Sequence, residues 1–282
     1  MEYFTLSNGN KMPMAGIGVF MMSPAEAEAA VESAIKSGVR LIDTANGYMN
    51  ESGTGRGIKK SGVAREEIFL VTKLWPTVYE KETAIDETLA RLGTDYIDLL
   101  FLHQPTANWR EGYRNIEKAY KEGKVKAIGL SNFPEDLLKE AIETMDIKPH
   151  VVQVEAHPYF PQTELKAFLA ETGMGLMAWY PLGHGDKNLI NEPVFAKLAG
   201  KYGKTNAQII LRWHVEDSRE ECERGNTPSK PGNVPKREEV LLVCLDLGGW
   251  DNAHPICVKR YPITASPAVY SSREFSRTWI QA

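Results

Sequence analysis

With 282 residues, 43 % hydrophobic and 25 % charged, the chain has the make-up of a globular protein, one large barrel or two small domains. A formal charge of -4 is too mild for a nucleic-acid partner, and no apolar run is long enough to span a bilayer. The opening MEYFTLSNGNK lacks a signal-peptide pattern, and Cys222, Cys244 and Cys257 give neither a disulfide framework nor a metal-ligand spacing. No metal and no membrane are therefore expected, and a reducing, cytoplasmic setting is.

FTLSNGNKMP reads as a short hairpin turning at Asn8-Gly9. Met14 to Phe20 is the first candidate strand. Ser23-Pro24-Ala25-Glu26 then opens a helix with a capping box and proline in its first turn, and Gly38 is its stop. Strand and helix alternate from there: Val39 to Ala45 with a helix Glu51 to Ser61, and Ile68 to Leu74 with a helix carrying Ile85, Leu89 and Leu92 on one face. Tyr96 to His103 is followed by a helix Trp109 to Glu122. Val125 to Ser131 precedes one through Leu137, Leu138 and Ile142, and Val151 to His157 one over Glu164 to Glu171. Gly175 to Pro181 and a helical run from Pro193 to Glu216 complete seven units.

Near-continuous apolar strands alternating with amphipathic helices predict a parallel sheet buried on both faces. Seven units with polar residues at the strand C-termini favour an α/β (β/α)8 TIM barrel over an open sheet. GIGVFMMS after the first strand is not the GxGxxG of a doubly wound dinucleotide fold. The domain reading is a barrel over 1–216 and an atypical C-terminal segment over 217–282. In that segment Asp217 to Glu239 has Val234 as its only aliphatic residue, and Val240 to Leu247 is its one candidate strand. The eighth βα unit is thus expected to be missing or replaced.

Three strands end in chemistry: LIDTANGY carries Asp43 and Tyr48, FLVTK ends at Lys73, and DLLFLH at His103. A buried acid is costly unless paired, and an ammonium is its natural partner. The same ammonium favours the ionised form of a phenol, and an imidazole can orient a carbonyl oxygen. Such a set protonates an oxygen while another agent attacks the carbon. No nucleophilic serine or cysteine is evident, so a bound hydride donor is the economical choice.

LIDTANGY, the lysine of LVTKLW and the histidine of LFLHQP resemble the catalytic tetrad of the aldo-keto reductases, bacterial type. That resemblance, running from about Phe4 to Glu216, implies an enzyme reducing small aldehydes or ketones, with Tyr48 as general acid beside Asp43, Lys73 and His103. It implies NADPH as cofactor, with NADH the alternative. GKVKAIGLSNF matches the stretch whose Ser131 and Asn132 bind the nicotinamide carboxamide, and VQVEAHPY places Gln153 beside the same amide. AWYPLGHG resembles the segment where Trp179 stacks on the nicotinamide and the backbone of Tyr180, Pro181, Leu182 and Gly183 holds the pyrophosphate. Gly18, Val19 and Asp43 fall on the cofactor side as well. The substrate pocket is assigned to Phe20, Trp75, His103 and Trp109, with Tyr79 and His184 in neighbouring loops. Nothing after Glu216 matches the basic clamp that grips the cofactor's 2′-phosphate, so a non-catalytic nicotinamide-binding barrel is the rival reading. A monomer or weak homo-oligomer is expected.

Overall fold

A computed structural model describes residues 1–183, 188–224 and 241–246. Two short strands, β1 (Tyr3–Thr5) and β2 (Lys11–Pro13), pair antiparallel as the expected hairpin, with Gly9 at φ 88° in its turn. The parallel strands follow: β3 (Ala15–Gly18), β4 (Leu41–Asp43), β5 (Phe69–Leu74), β6 (Leu99–Leu102), β7 (Ile128–Ser131), β8 (Val151–Glu155) and β9 (Gly175–Trp179). Leu241–Asp246 forms β10, which pairs parallel with β9 on one side and β3 on the other, closing an eight-stranded barrel. Of the two expected alternatives for the eighth unit, replacement is what the strand shows: the segment after Glu216 supplies it. Residues that would carry its helix, 247–282, lie outside those described.

The helices are α1 (Pro24–Lys36), α2 (Glu51–Ser61), α3 (Ala84–Leu92), α4 (Trp109–Lys121), α5 (Glu135–Thr144), α6 (Thr163–Thr172), α7 (Pro193–Tyr202) and α8 (Asn206–Arg224). α1 starts with the expected capping box: Ser23 Oγ accepts from Glu26 N and Glu26 Oε2 from Ser23 N. The helical run expected from Pro193 to Glu216 is two helices, because Gly203 at φ 62° terminates α7. α8 in turn runs past Glu216 to Arg224.

The alternation of side chains along each strand divides the core in two. Ile42, Leu70, Leu100, Leu102, Ile128, Leu130, Val152 and Leu176 face outward and pack against the helices. Leu41, Phe69, Val71, Leu99, Phe101, Val151 and Met177 face inward, with Phe4, Leu6 and Met12 of the hairpin plugging the barrel's N-terminal end. Inward space is tight, since a Cβ on Gly129 would lie 2.3 Å from the Phe101 ring. Above this apolar fill, the same inward rows continue to Asp43, Lys73, Ser131, Gln153 and Trp179. One period-2 rule therefore fills the barrel and furnishes its mouth.

α1 and α2 pack backbone against backbone. A Cβ on Gly53 would sit 2.0 Å from the Pro24 carbonyl oxygen, which cannot swing away as a side chain can. Gly53→Ala is therefore expected to cost about 1–3 kcal/mol or more by forcing the helices apart. A urea titration checks this; an unchanged midpoint would refute the close approach.

Candidate active site

Lys73 and Asp43 are 2 % and 5 % exposed, and Lys73 Nζ donates to Asp43 Oδ1 at 2.5 Å and to the Thr44 carbonyl at 3.0 Å. Gln153 Nε2 donates to the other carboxylate oxygen at 3.0 Å, so both oxygens of Asp43 are held. The ammonium lies 5.2 Å from the Tyr48 ring centroid. Tyr48 itself stands in a 3-10 turn, Asn46–Tyr48, directly after β4. Its ring meets Phe20 at 4.9 Å and the edge of His103 at 5.7 Å, and Trp75 meets His103 edge-on at 4.9 Å. The four residues expected to act together thus converge at the C-terminal mouth of the barrel, with Phe20 and the exposed Trp75 at its rim.

Burial, and secondarily the Lys73 ammonium, hold the His103 imidazole down to about 3. His103 is accordingly neutral at any ordinary pH: it can donate one hydrogen bond but carries no charge. Its Nδ1 and the Oε1 of Gln153 are buried polar atoms without a hydrogen-bond partner. Orphaned buried polar atoms in a strand-end cluster are what a site waiting for a polar ligand looks like.

Ser131 ends β7, and Asn132 follows in the left-handed conformation at φ 64°. Neither caps α5, whose N-cap is Pro134. Trp179 ends β9 and donates from Nε1 to Asn132 Oδ1 at 2.9 Å. After it, Tyr180 turns left-handed at φ 49°, and its carbonyl accepts from Gly183 N at 2.8 Å. Leu182 packs into a small outer cluster with Leu189, Phe195 and Ile210. The Pro181 carbonyl accepts from Nε2 of the fully buried His214 on α8 at 3.0 Å, so α8 supports the turn that follows β9. Gly18 lies in register with Asp43. Val19 is buried, its N–H donates to the Asp43 carbonyl and its own carbonyl accepts from Asn50, which leaves it only contact surface to offer a ligand.

One pocket assignment is corrected. Trp109 is 1 % exposed in the first turn of α4, edge-on to Tyr113 and Phe133, and belongs to the core. A tryptophan opening a helix next to Tyr113 and Ile116 on the same face packs inward more cheaply than it lines a mouth. Tyr79 is likewise fully buried, its hydroxyl donating to Gln104 O and accepting from Gln104 N, both at 2.9 Å. His184 lies outside the described residues.

Sequence reasoning missed Asn50. It precedes α2 and invites reading as a cap, yet it makes no side-chain cap bond. Its Nδ2 instead donates to the carbonyls of Val19 (2.7 Å) and Met22 (3.0 Å), and its Oδ1 accepts from Thr44 Oγ1 (2.8 Å). Asn50 thereby ties the loop carrying Phe20 to the loop carrying Tyr48. Glu51 beside it is buried against Thr72 Oγ1 (2.8 Å) and Arg91 Nε (2.7 Å), and burial raises its carboxyl above the usual range.

The sequence model of the Aldo/keto reductase family matches residues 14–234. The chain belongs to the aldo/keto reductase family. It is 44 % identical over 229 residues to morphine 6-dehydrogenase of Pseudomonas putida, covering 75 % of this chain and 77 % of that one. It is also 44 % identical to the glyoxal reductase of Bacillus subtilis over 216 residues, 75 % of this chain and 78 % of the relative. An aldo/keto reductase structure from Brucella melitensis superposes with a TM-score of 0.75 at 38 % identity, covering 87 % and 88 % of the two chains. The aldose reductase of Schistosoma japonicum does so at 0.80 and 27 % identity, over 100 % and 92 %. This aldo/keto reductase is therefore an oxidoreductase on the (β/α)8 barrel. Among the described residues no helix is long and apolar enough to cross a membrane, and no His, Cys, Asp and Glu group has a metal site's make-up.

The buried histidines set an acid limit on stability. In the unfolded chain an imidazole takes up a proton near 6.5, whereas His103 and His214 do so only near 3 when folded. Between those values the unfolded state binds more protons, so stability falls as pH drops through the window. Calorimetry is expected to show the unfolding temperature declining steadily from about pH 7 to about pH 4. A flat profile would contradict neutral burial of these rings.

Proposed function

We propose that this aldo/keto reductase reduces small aldehydes and ketones to alcohols with NADPH, with NADH the lesser alternative, and that Tyr48 is the proton donor. The observation that carries the reading is the buried Lys73–Asp43 pair facing the Tyr48 ring, with neutral His103 edge-on to the same ring. The residues present fit a nicotinamide. The unpaired Gln153 Oε1 can accept from a carboxamide N–H, and the Ser131 hydroxyl, which accepts from Asn132 Nδ2 at 3.2 Å, keeps its hydrogen to donate to the carboxamide oxygen. Trp179 offers the flat apolar wall, and the turn from Tyr180 to Gly183 offers backbone beyond it.

When bound, a reduced nicotinamide supplies a hydride equivalent to the carbonyl carbon. The protein's part lies at the oxygen. Neutral His103 donates a hydrogen bond that orients the carbonyl. Tyr48 gives its hydroxyl proton to that oxygen, and the Lys73 ammonium stabilises the charge then left on the phenol oxygen. Asp43 keeps the ammonium protonated and aimed, and Gln153 fixes the carboxylate. Phe20 and Trp75 bound the space in which the substrate sits; their aromatic faces suit a small apolar or aromatic carbonyl compound.

The names of the relatives support this reading, since glyoxal and methylglyoxal reductases act by name on small carbonyl compounds. Titrating NADPH into the protein while following tryptophan fluorescence, then adding a small aldehyde, tests it. Quenching followed by steady oxidation of the cofactor is the expected result. Tight binding with no oxidation would favour a non-catalytic nicotinamide-binding barrel instead.

A further inference from the structure

β5 outruns its neighbour β4 at the barrel mouth. Backbone groups alternate sides along a strand, and Phe69 and Val71 present theirs to the β4 chain. Phe69 N–H donates to Arg40 O at 2.7 Å, and Val71 O accepts from Thr44 N–H at 3.0 Å. The same period turns the Trp75 N–H toward β4, but β4 ends at Asp43 and its chain enters the 3-10 turn that carries Tyr48. Asn46, the first residue of that turn, meets the N–H with its side chain: Oδ1 accepts from Trp75 N at 2.8 Å. The amide's orientation follows from its partner, since a backbone N–H can only donate. On the other side Pro76 O accepts from Asn108 Nδ2 at 3.1 Å, so the Trp75–Pro76 segment is held from both neighbouring barrel units.

We propose that Asn46 is a positioning residue that carries the β4–β5 pairing one step past the end of β4. It thereby fixes the gap between the Trp75 ring and Tyr48 and makes the enzyme selective for carbonyl compounds bearing a flat aromatic group. The assignment rests on the reading of carbonyl reduction above. The indole lies along the Tyr48 turn: a Cβ on Gly47 would stand 3.4 Å from a Trp75 ring carbon, and the ring meets His103 edge-on at 4.9 Å. Trp75 is 40 % exposed, so its backbone anchors and these contacts fix it rather than burial in the core. A wall set before the substrate arrives spares the cost of ordering it on binding, which acts on substrate affinity. A flat ring gains contact along such a wall, whereas a short alkyl chain gains little. Tyr48 keeps its own support, because Asn50 pins its loop through separate bonds.

Asn46→Ala removes the acceptor, and Asn46→Asp keeps one at the same reach. In the ligand-free protein, hydrogen exchange of the Trp75 backbone amide, followed by NMR, is expected to speed up by about five- to tenfold in Asn46→Ala and to stay near the wild-type rate in Asn46→Asp. With NADPH saturating, KM for benzaldehyde should rise by about five- to tenfold in Asn46→Ala, while KM for propionaldehyde and both kcat values change by less than about twofold. Asn46→Asp should restore the wild-type KM. Trp75→Ala should raise KM for benzaldehyde at least as much, and adding Asn46→Ala to it should raise KM no further, because the amide acts through the indole. An amide that exchanges no faster in Asn46→Ala would overturn the anchor. Faster exchange with an unchanged KM, a fall in kcat shared by both aldehydes, or additive losses in the double variant would overturn the positioning role. A wild-type protein that oxidises neither NADPH nor NADH with either aldehyde, while the amide responds as described, would instead refute the reading of carbonyl reduction and with it the role in substrate selection.

Discussion

Tyr48→Phe is expected to lower kcat for aldehyde reduction by about 10²–10⁴-fold while leaving NADPH affinity within about twofold. The substitution removes one oxygen from a ring whose position is set by other contacts. Phe20 and His103 pack against the ring at 4.9 and 5.7 Å, and Asn50 pins the loop that carries it. Neutral His103, held down to about 3 by burial, carries no imidazolium proton to release in place of the phenol's at neutral pH. The variant should therefore fold normally and bind cofactor normally, and fail at protonation alone. Steady-state kinetics beside a fluorescence titration separates these quantities, and turnover near the wild-type rate would remove Tyr48 from the mechanism.

Lys73→Met carries the largest expected effect on stability. The ammonium is buried against Asp43, and without it the carboxylate keeps, among the described residues, Gln153 Nε2 as its side-chain donor. An unpaired buried charge of this kind costs about 3–5 kcal/mol. Turnover should fall by about 10²–10³-fold as well, because the charge facing the phenol is gone. Adding Asp43→Asn to Lys73→Met removes the stranded charge and should recover part of the stability but none of the activity. Urea unfolding of the three variants checks this. A Lys73→Met protein as stable as wild type at pH 8 would show that the pair is not buried as described.

The barrel was legible because seven strands are apolar on both faces while their helices carry one-sided stripes, and only a parallel sheet under helices accepts both patterns. The mouth was legible for a related reason. Asp43, Lys73, Ser131 and Gln153 fall on the same alternating register as Leu41, Val71 and Val151, so a polar residue at a strand's end inherits the inward direction of the apolar residues before it. Trp109 misled because a tryptophan that opens a helix soon after a strand end lies near the mouth in sequence, and only its packing against Tyr113 and Phe133 shows that it turns inward. Asn50 was illegible in its actual role, because the carbonyls its side-chain amide bonds lie 31 and 28 residues away. The closing strand was seen as a candidate at Val240 to Leu247, but its place between β9 and β3 follows only from the register it adopts there.

The arrangement divides labour along the barrel axis. The hairpin and the inward apolar rows seal the bottom, the Lys73–Asp43–Gln153 chain crosses the middle, and Tyr48, His103, Phe20 and Trp75 face the opening. Asn50, which holds this geometry, lies between loops and ties one strand's mouth to the next. Rigidity at the mouth thus comes from a side-chain amide bonded to backbone carbonyls as well as from the sheet ladder itself.

The most direct test of the account is the yield of alcohol from a small aldehyde, measured against NADPH consumed by the wild-type protein at neutral pH. One alcohol per cofactor oxidised is the predicted result. Binding of NADPH with no alcohol formed would contradict it.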